Sequence, residues 1–252
     1  MTSPTLPLGT RIAILARLFT LQGSYNYETM IGNGIAFAME PALRLLPGGA
    51  TGAAYREAMA RESRYFNCHP YFAGIAVGAL ARAELSLEAP DRIERFRTAS
   101  CGPLGSVGDR LVWAAWLPLC SLIALVAFGL GLGAPLVVIG FLALYNAGHL
   151  ALRIWGLHAG WRDGLAVAHA LGAPIFRTGP AQLTRAAAFA AGLGFPLAIG
   201  TAAGVTPTGV LIIGGIGALG ALLLALLHGR VAGWRAAIGL LAVAAAIAVV
   251  VR

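Results

Sequence analysis

Gly102-Pro103-Leu104-Gly105-Ser106-Val107-Gly108-Asp109 stands immediately before the first long apolar run of the chain, Leu111 to Gly133. Three glycines spaced by three, a proline and a carboxylate sit poorly in an ordinary helix. Glycine costs about 1 kcal/mol there relative to alanine, and proline about 3. At a membrane boundary the cost grows, because freed backbone N–H and C=O groups find no water. Irregular backbone survives at that depth only where protein buries it or it lines a wet cavity. Two readings follow. The stretch is a broken or re-entrant element whose backbone faces a polar solute, or it is a glycine-rich loop that leads a helix into the bilayer. On either reading it divides the chain into residues 1–110, with amphipathic and re-entrant segments, and a transmembrane helical part, residues 111–252.

Composition fixes the class. Of 252 residues, 58% are hydrophobic and only 11% charged, against about 25% charged in soluble domains. The formal charge is +8, carried entirely by arginine, with no lysine anywhere. The arginines lie mostly between apolar runs, where positive-inside topology accounts for them better than nucleic acid does. The bilayer is the expected partner, and no nucleic acid is. Cys68, Cys101 and Cys120 form no C-x-x-C pair and read as small packing residues, neither a disulfide framework nor a metal site. The first thirty residues do not read as a secretory leader, because Arg11 and Arg17 are followed by Gln22 and Glu28 where an apolar core should run.

Apolar runs then set the architecture. From Thr10 to Leu21 the pattern is amphipathic and suits a surface. Two short runs follow, Met30 to Leu46 and Tyr71 to Ala81, interrupted or stopped by Glu40, Arg44 and Arg82. A spanning helix needs about 20 apolar residues, and arginines flank both runs on both sides. Both are therefore expected to be re-entrant or interfacial. Beyond residue 110, Leu111 to Leu130 and Pro135 to Leu152 predict one hairpin, turning at Gly131-Leu132-Gly133. Ala186 to Ala203 and Gly209 to Leu227 predict a second, turning at Gly204 to Thr208. A last run, Ala236 to Val251, follows Arg230 and Arg235. The expected fold is an all-α integral membrane protein of about five spanning helices. Its N-terminus would be cytoplasmic and its C-terminus outside, with Arg153, Arg162, Arg177 and Arg185 in an inner loop. Glycines of the second hairpin, among them Gly192, Gly194, Gly214, Gly215 and Gly217, would let its helices approach closely.

No catalytic constellation emerges: there is no G-x-S-x-G, no H-E-x-x-H and no phosphate-binding loop. His69, His149, His158, His169 and His228 lack metal-ligand spacing, so neither metal nor cofactor is expected. The polar groups beside the short runs are more informative. Gln22, Ser24, Asn26 and Glu28 supply amide, hydroxyl and carboxylate groups, with Tyr25 and Tyr27 between them. A sugar is recognised by such a mixture, polar groups for its hydroxyls and aromatic faces for its C–H surface. Asn67, His69 and Asp109 extend the set. The competing structural reading pairs Glu28 with an arginine and makes Asn26 a helix cap.

Four blocks carry a resemblance to a known family: Leu21-Gln-Gly-Ser-Tyr-Asn-Tyr-Glu28, Phe66-Asn-Cys-His-Pro70, Gly102 to Asp109, and Asn146 with Arg153, Gly156, Gly160 and Gly164. Their order and spacing, across roughly residues 10 to 165, resemble the IID membrane subunit of the mannose/fructose/sorbose family of bacterial sugar phosphotransferase permeases. The resemblance implies a partner IIC subunit sharing the translocation unit, IIA and IIB phosphocarriers at the cytoplasmic face, and a hexose-type sugar. It places the chain in the bacterial cytoplasmic membrane as a non-catalytic transport subunit, since the phosphorylated histidines of that family are on IIA and IIB. Two departures stand out. Cys68 occupies a position where the family usually has threonine, and the second half lacks the longer polar insertion common there. A divergent scaffold or regulatory protein that kept the fold without transport is the alternative.

Overall fold

The computed structural model describes residues 5–204 and 206–226, with residues 235, 238 and 239. Its contacts group the chain into two compact units, Met1–Ala114 with Leu144–Pro180, and Ala115–Ala143 with Ala181–Arg252. The described residues are helical with short turns and two isolated bridges.

In the first unit, helix α1 (Leu8–Leu18) buries Ile14 and Leu18, four apart on one face. Helices α2 (Gly32–Leu43) and α4 (Ala73–Leu85) are the two short apolar runs. Twelve and thirteen residues long, they reach only about 20 Å at 1.5 Å per residue, against a hydrocarbon core of about 30 Å. Their side chains are spent on protein instead: α4 is buried from Ala73 through Ala81. Helix α3 (Ala53–Glu62) and helix α5 (Pro90–Gly108) complete this core. The arginines flanking the short runs largely neutralise buried carboxylates. Glu40 takes Arg17 at 2.7 Å and also Arg44, and although burial pushes its carboxyl up, the two guanidinium groups outweigh that and hold it below the usual range.

The Gly102–Asp109 stretch is neither a re-entrant element nor a loop. It is the last turns of α5, which runs on through a π-helical segment, Asp109–Trp116, into α6 (Leu117–Gly129). The reason lies upstream: Ile93, Arg97, Leu104 and Gly108 are buried at intervals of four, seven and four, one face of a helix. Tertiary burial of that face outweighs the poor local propensity. Pro103 leaves the Ala99 carbonyl without its helical donor, a defect the helix tolerates. A Cβ at Gly102 or Gly105 would meet open space, whereas at Gly108 it would lie 2.2 Å from the Cβ of His69. Gly105→Ala is therefore expected to be neutral or stabilising by up to about 1 kcal/mol, and Gly108→Ala to destabilise by about 1–3 kcal/mol through overpacking. Thermal unfolding in detergent separates them; equal midpoints would refute the contact.

Helix α7 (Ala134–Asp163) follows a turn at Gly131, whose φ is +87°, as the first predicted hairpin requires. It continues well past Leu152, so Arg153 sits in a helix and not in a loop. The connection beyond it is short: a 3-10 turn at Gly164–Ala166, helix α8 (Ala168–Leu171), then helix α9 (Pro174–Ala202), which contains Arg177 and Arg185. The second hairpin turns at Gly204, φ +70°, into helix α10 (Pro207–Leu226), twenty residues without a charge. In the second unit Leu119, Ala187 and Ala190 form a small core. Gly217 there has no room for a Cβ, which would fall 2.0 Å from the Gly192 carbonyl, while Gly215 faces open space. Three described helical stretches, Pro90–Gly129, Ala134–Ala166 and His169–Ala202, are long and apolar enough to cross a membrane. The run from Ala236 to Val251 falls almost wholly outside the described residues. Leu136, Ile139, Ile199 and Ile212 are more than half exposed, as lipid-facing side chains are. The protein is an all-α integral membrane protein.

Candidate functional site

The segment Phe66–Phe72 is where the four sequence blocks meet, all within the first unit. Just beyond the first block, Met30 pairs with Asn26 of that block and bridges to Phe66, as the Ile31 N–H donates to the Phe66 carbonyl at 3.1 Å and the Phe66 N–H to the Thr29 carbonyl at 3.2 Å. From the third block Gly108 packs on His69, and just ahead of that block the Cys101 sulfur accepts the Asn67 N–H at 3.5 Å. From the fourth, α7 presents Tyr145, His149 and Arg153 to Tyr71. The Tyr71 and Tyr145 hydroxyls are 2.6 Å apart, and the His149 ring stacks on Tyr71 at 3.9 Å and 15°.

Arg153 organises this cluster. Its side chain is buried, it donates to the Leu18 carbonyl at the end of α1 and to His149 Nε2 at 2.5 Å, and its guanidinium lies over the rings of Phe19 and Tyr71 at 5.2 and 5.3 Å. No carboxylate is within ion-pair distance among the described residues. The cation is instead compensated by a helix C-terminus, an imidazole nitrogen and two ring faces, each an electronegative surface. His69 is equally buried. Its Nδ1 accepts the Tyr71 N–H at 3.1 Å, so in the neutral ring the proton sits on Nε2, which has no hydrogen-bond partner among the described residues. Burial, then Arg153 and His149, lowers the His69 pKa to about 4, so the ring stays neutral. Trp113, in the π segment, lies against it with centroids 5.0 Å apart. Cys68 beside it is buried, which pushes its thiol up and keeps it protonated, and its sulfur is 3.5 Å from the His69 carbonyl.

The polar residues singled out from the sequence are distributed differently. Asn26 folds its own loop: its Oδ1 accepts the N–H groups of Glu28 and Thr29 at 2.9 and 2.8 Å, and its Nδ2 donates to the Ser24 carbonyl and Thr29 Oγ1. That is an Asx turn and not a helix cap, since the residue capping α2 is Ile31. It holds Gln22, Ser24, Tyr25, Tyr27 and Glu28 outward, with Tyr27 92% exposed. Asn67 and Asp109 are also exposed. Of the predicted set, only His69 enters the buried cluster. Tyr71, Trp113, Tyr145, His149 and Arg153 were missed as site residues. Arg153 was visible only as part of the fourth block, and the aromatic residues gave no signal above an ordinary apolar helix.

A model of the PTS system mannose/fructose/sorbose family IID component matches residues 6–187. This chain belongs to that family. The matched stretch includes the whole cluster and the first of the two membrane hairpins. Among curated relatives, this IID chain is 31% identical to the fructose permease IID component of Bacillus subtilis (strain 168) over 153 residues, 58% of the chain and 54% of that protein. It is 30% identical to the sorbose-specific EIID component of Klebsiella pneumoniae over 176 residues, 67% of the chain and 62% of that protein. To the mannose-specific EIID component of Escherichia coli (strain K12) it is 30% identical over 165 residues, 63% of the chain and 57% of that protein. The chain thus spans between about half and three-fifths of the length of these relatives. The IID fold is shared with a solved complex of the mannose transporter ManYZ and microcin E492, at TM-score 0.56 and 23% identity over 96% of both chains. It is shared also with a structure described as a membrane protein, at TM-score 0.61 and 22% identity over 96% of this chain and 97% of the other.

Proposed function

We propose that this IID chain is the non-catalytic membrane subunit of a phosphoenolpyruvate-dependent sugar phosphotransferase permease in the bacterial cytoplasmic membrane. It forms the translocation unit with a IIC subunit. IIA and IIB phosphocarriers carry the phosphoryl group, and the solute is a hexose-type sugar, as the fructose, sorbose and mannose names of its relatives suggest. One observation carries this reading: the polar side chains suited to a sugar, Gln22, Ser24 and Glu28, stand exposed on a loop that Asn26 makes rigid. Exposed groups bind a small neutral solute weakly, because water competes for each hydrogen bond. A second protein surface laid over the loop removes that water, and the sugar-site set proposed here, Gln22, Ser24, Asn26, Glu28, Asn67, His69 and Asp109, then acts at a subunit boundary. Asn26 and His69 hold the backbone of that set; the others supply its polar contacts.

The test is reconstitution. Co-expressed with a tagged IIC candidate, the chain should co-purify, and vesicles holding both with IIA and IIB should take up and phosphorylate a hexose. Glu28→Gln, which keeps the shape and removes the charge, should lower uptake several-fold at unchanged membrane abundance. Stable association with IIC but no uptake of any hexose would favour the scaffold reading. Unchanged uptake in Glu28→Gln would remove that carboxylate from the set.

A further inference from the structure

Helices α3, α4 and α5 bring four charged side chains together where they meet, with Glu62, Glu84 and Arg97 buried and Arg61 half-buried. Arg61 on α3 sets Nε and Nη2 on the two oxygens of Glu84 on α4, at 2.9 and 2.7 Å. Arg97 on α5 donates Nη1 to Oε2 of Glu62 on α3, and Nη2 to the Arg64 carbonyl at 3.0 Å. The side chains of Arg97 and Glu62 are 1% and 0% exposed. Two buried atoms do not fit a simple pair of ion pairs, Oε1 of Glu62 and Nε of Arg97. Oε1 of Glu62 is buried and has no hydrogen-bond partner among the described residues, yet the Glu84 carboxyl lies within hydrogen-bond reach of Glu62. With both groups ionised, two acceptors face each other in a dry site, with repulsion and nothing to share. A single proton converts one acceptor into a donor, and the repulsion becomes a charge-assisted O–H···O bond.

We propose that Glu62 and Glu84 form a proton-binding site, with one proton held between their carboxylates and Arg61 and Arg97 supplying the surrounding positive charge. Protonated, the four groups carry net +1; deprotonated, they are neutral overall but leave two carboxylates in contact. The charges around them include Glu57 on α3, which acts on Arg61, Glu94 on α5, whose Oε2 is 3.7 Å from Arg97 Nε, and Arg64 and Asp91 at the adjoining surface. A surface cleft of about 340 Å³, lined by Glu57, Arg61, Arg64, Asp91 and Glu94 among others, adjoins the site and gives protons a way in from solvent. Burial is the main force on Glu62: it raises the carboxyl to about 8, Arg97 opposes it, and Glu84 adds to it. The site joins three helices, so its proton is part of what holds them together.

The sign of the linkage is fixed. A carboxyl raised from its ordinary value of 4.5 to about 8 in the fold takes up a proton on folding between those values. Its stabilisation is fully present below the lower one and is lost as pH rises through the upper. For the full chain in detergent, the thermal midpoint should fall between pH ~5 and ~9. Its infrared spectrum at neutral pH should contain the carbonyl band of a buried carboxylic acid that fades as pH passes about 8. Glu62→Gln keeps a donor toward Glu84 and has nothing to titrate, so the band should vanish and the midpoint slope should flatten. Should that variant fail to fold, Glu84→Gln serves: with the second charge gone, the Glu62 band should fade at lower pH than in the parent chain. A parent spectrum without the band at neutral pH, or a variant with the parent's slope and band, would overturn the assignment.

Discussion

Replacing Gly160 by alanine should part α4 from α7 and cost about 1–3 kcal/mol, the range for overpacking a well-filled contact. The two helices interlock through four glycines, Gly74 and Gly78 on one and Gly156 and Gly160 on the other, each pair spaced by four. A Cβ at Gly160 would fall 2.1 Å from the Ile75 carbonyl oxygen and 2.9 Å from the Ala79 nitrogen, and one at Gly78 would fall 2.5 Å from the Leu157 oxygen and 2.7 Å from the Trp161 nitrogen. These neighbours are backbone, so no rotamer change relieves the clash; the helix axes must separate. Small residues at such a spacing let helices meet at backbone distance. Gly140, also on α7, meets nothing within 4 Å, and Gly140→Ala should be neutral or slightly stabilising. Thermal unfolding in detergent reads both. A Gly160→Ala protein as stable as Gly140→Ala would mean that α4 and α7 do not touch as described. Leucine at Gly160 should prevent accumulation of the folded protein.

Arg153→Met has the second large effect. Methionine keeps much of the bulk and removes the charge and every donor. The Leu18 carbonyl loses its partner at the end of α1, and His149 loses the donor that fixes its ring against Tyr71. Hydrogen bonds from charged groups contribute about 1.5–3 kcal/mol each, and the desolvation cost of the guanidinium, recovered in the variant, offsets part of that. The expected result is a net loss of about 1–3 kcal/mol, with amide exchange accelerated in α1 and uptake abolished. Arg153→Lys should not rescue it, because a compact ammonium lacks the planar fork that reaches a carbonyl and an imidazole while lying over two rings. Full uptake and unchanged exchange in Arg153→Met would sink the organising role given to this residue.

Much of the helical layout was legible in the sequence because its signals are local. Gly131 and Gly204 have the positive φ that their hairpin turns require, and the short runs at α2 and α4 announced by their length that they do not span unaided. What was illegible depends on partners distant in the chain. Arg97 interrupts the apolar stripe of α5 and so hides it, and its burial follows from Glu62, 35 residues earlier. Glu84 looks like an ordinary surface charge until Arg61, 23 residues before it, closes on it. The glycine stretch before Leu111 misled for the related reason that local propensity was the only term available there, and packing against His69 decided it. In the candidate site, composition pointed to the exposed loop around Asn26, whereas the buried cluster draws on Tyr71 and on Tyr145, 74 residues later.

The π-helical turns at Asp109–Trp116 bear on how this helix tolerates a change of length. A π turn closes its hydrogen bonds one residue further along than an α turn does, so it behaves as a spare residue wound into a helix. Deleting one residue of the segment would turn it into an ordinary α turn while the α-helical flanks keep their own faces. What changes is local: the side chains of the segment rotate, and Trp113 no longer faces His69. Such a deletion would therefore leave a continuous helix with a re-aimed tryptophan.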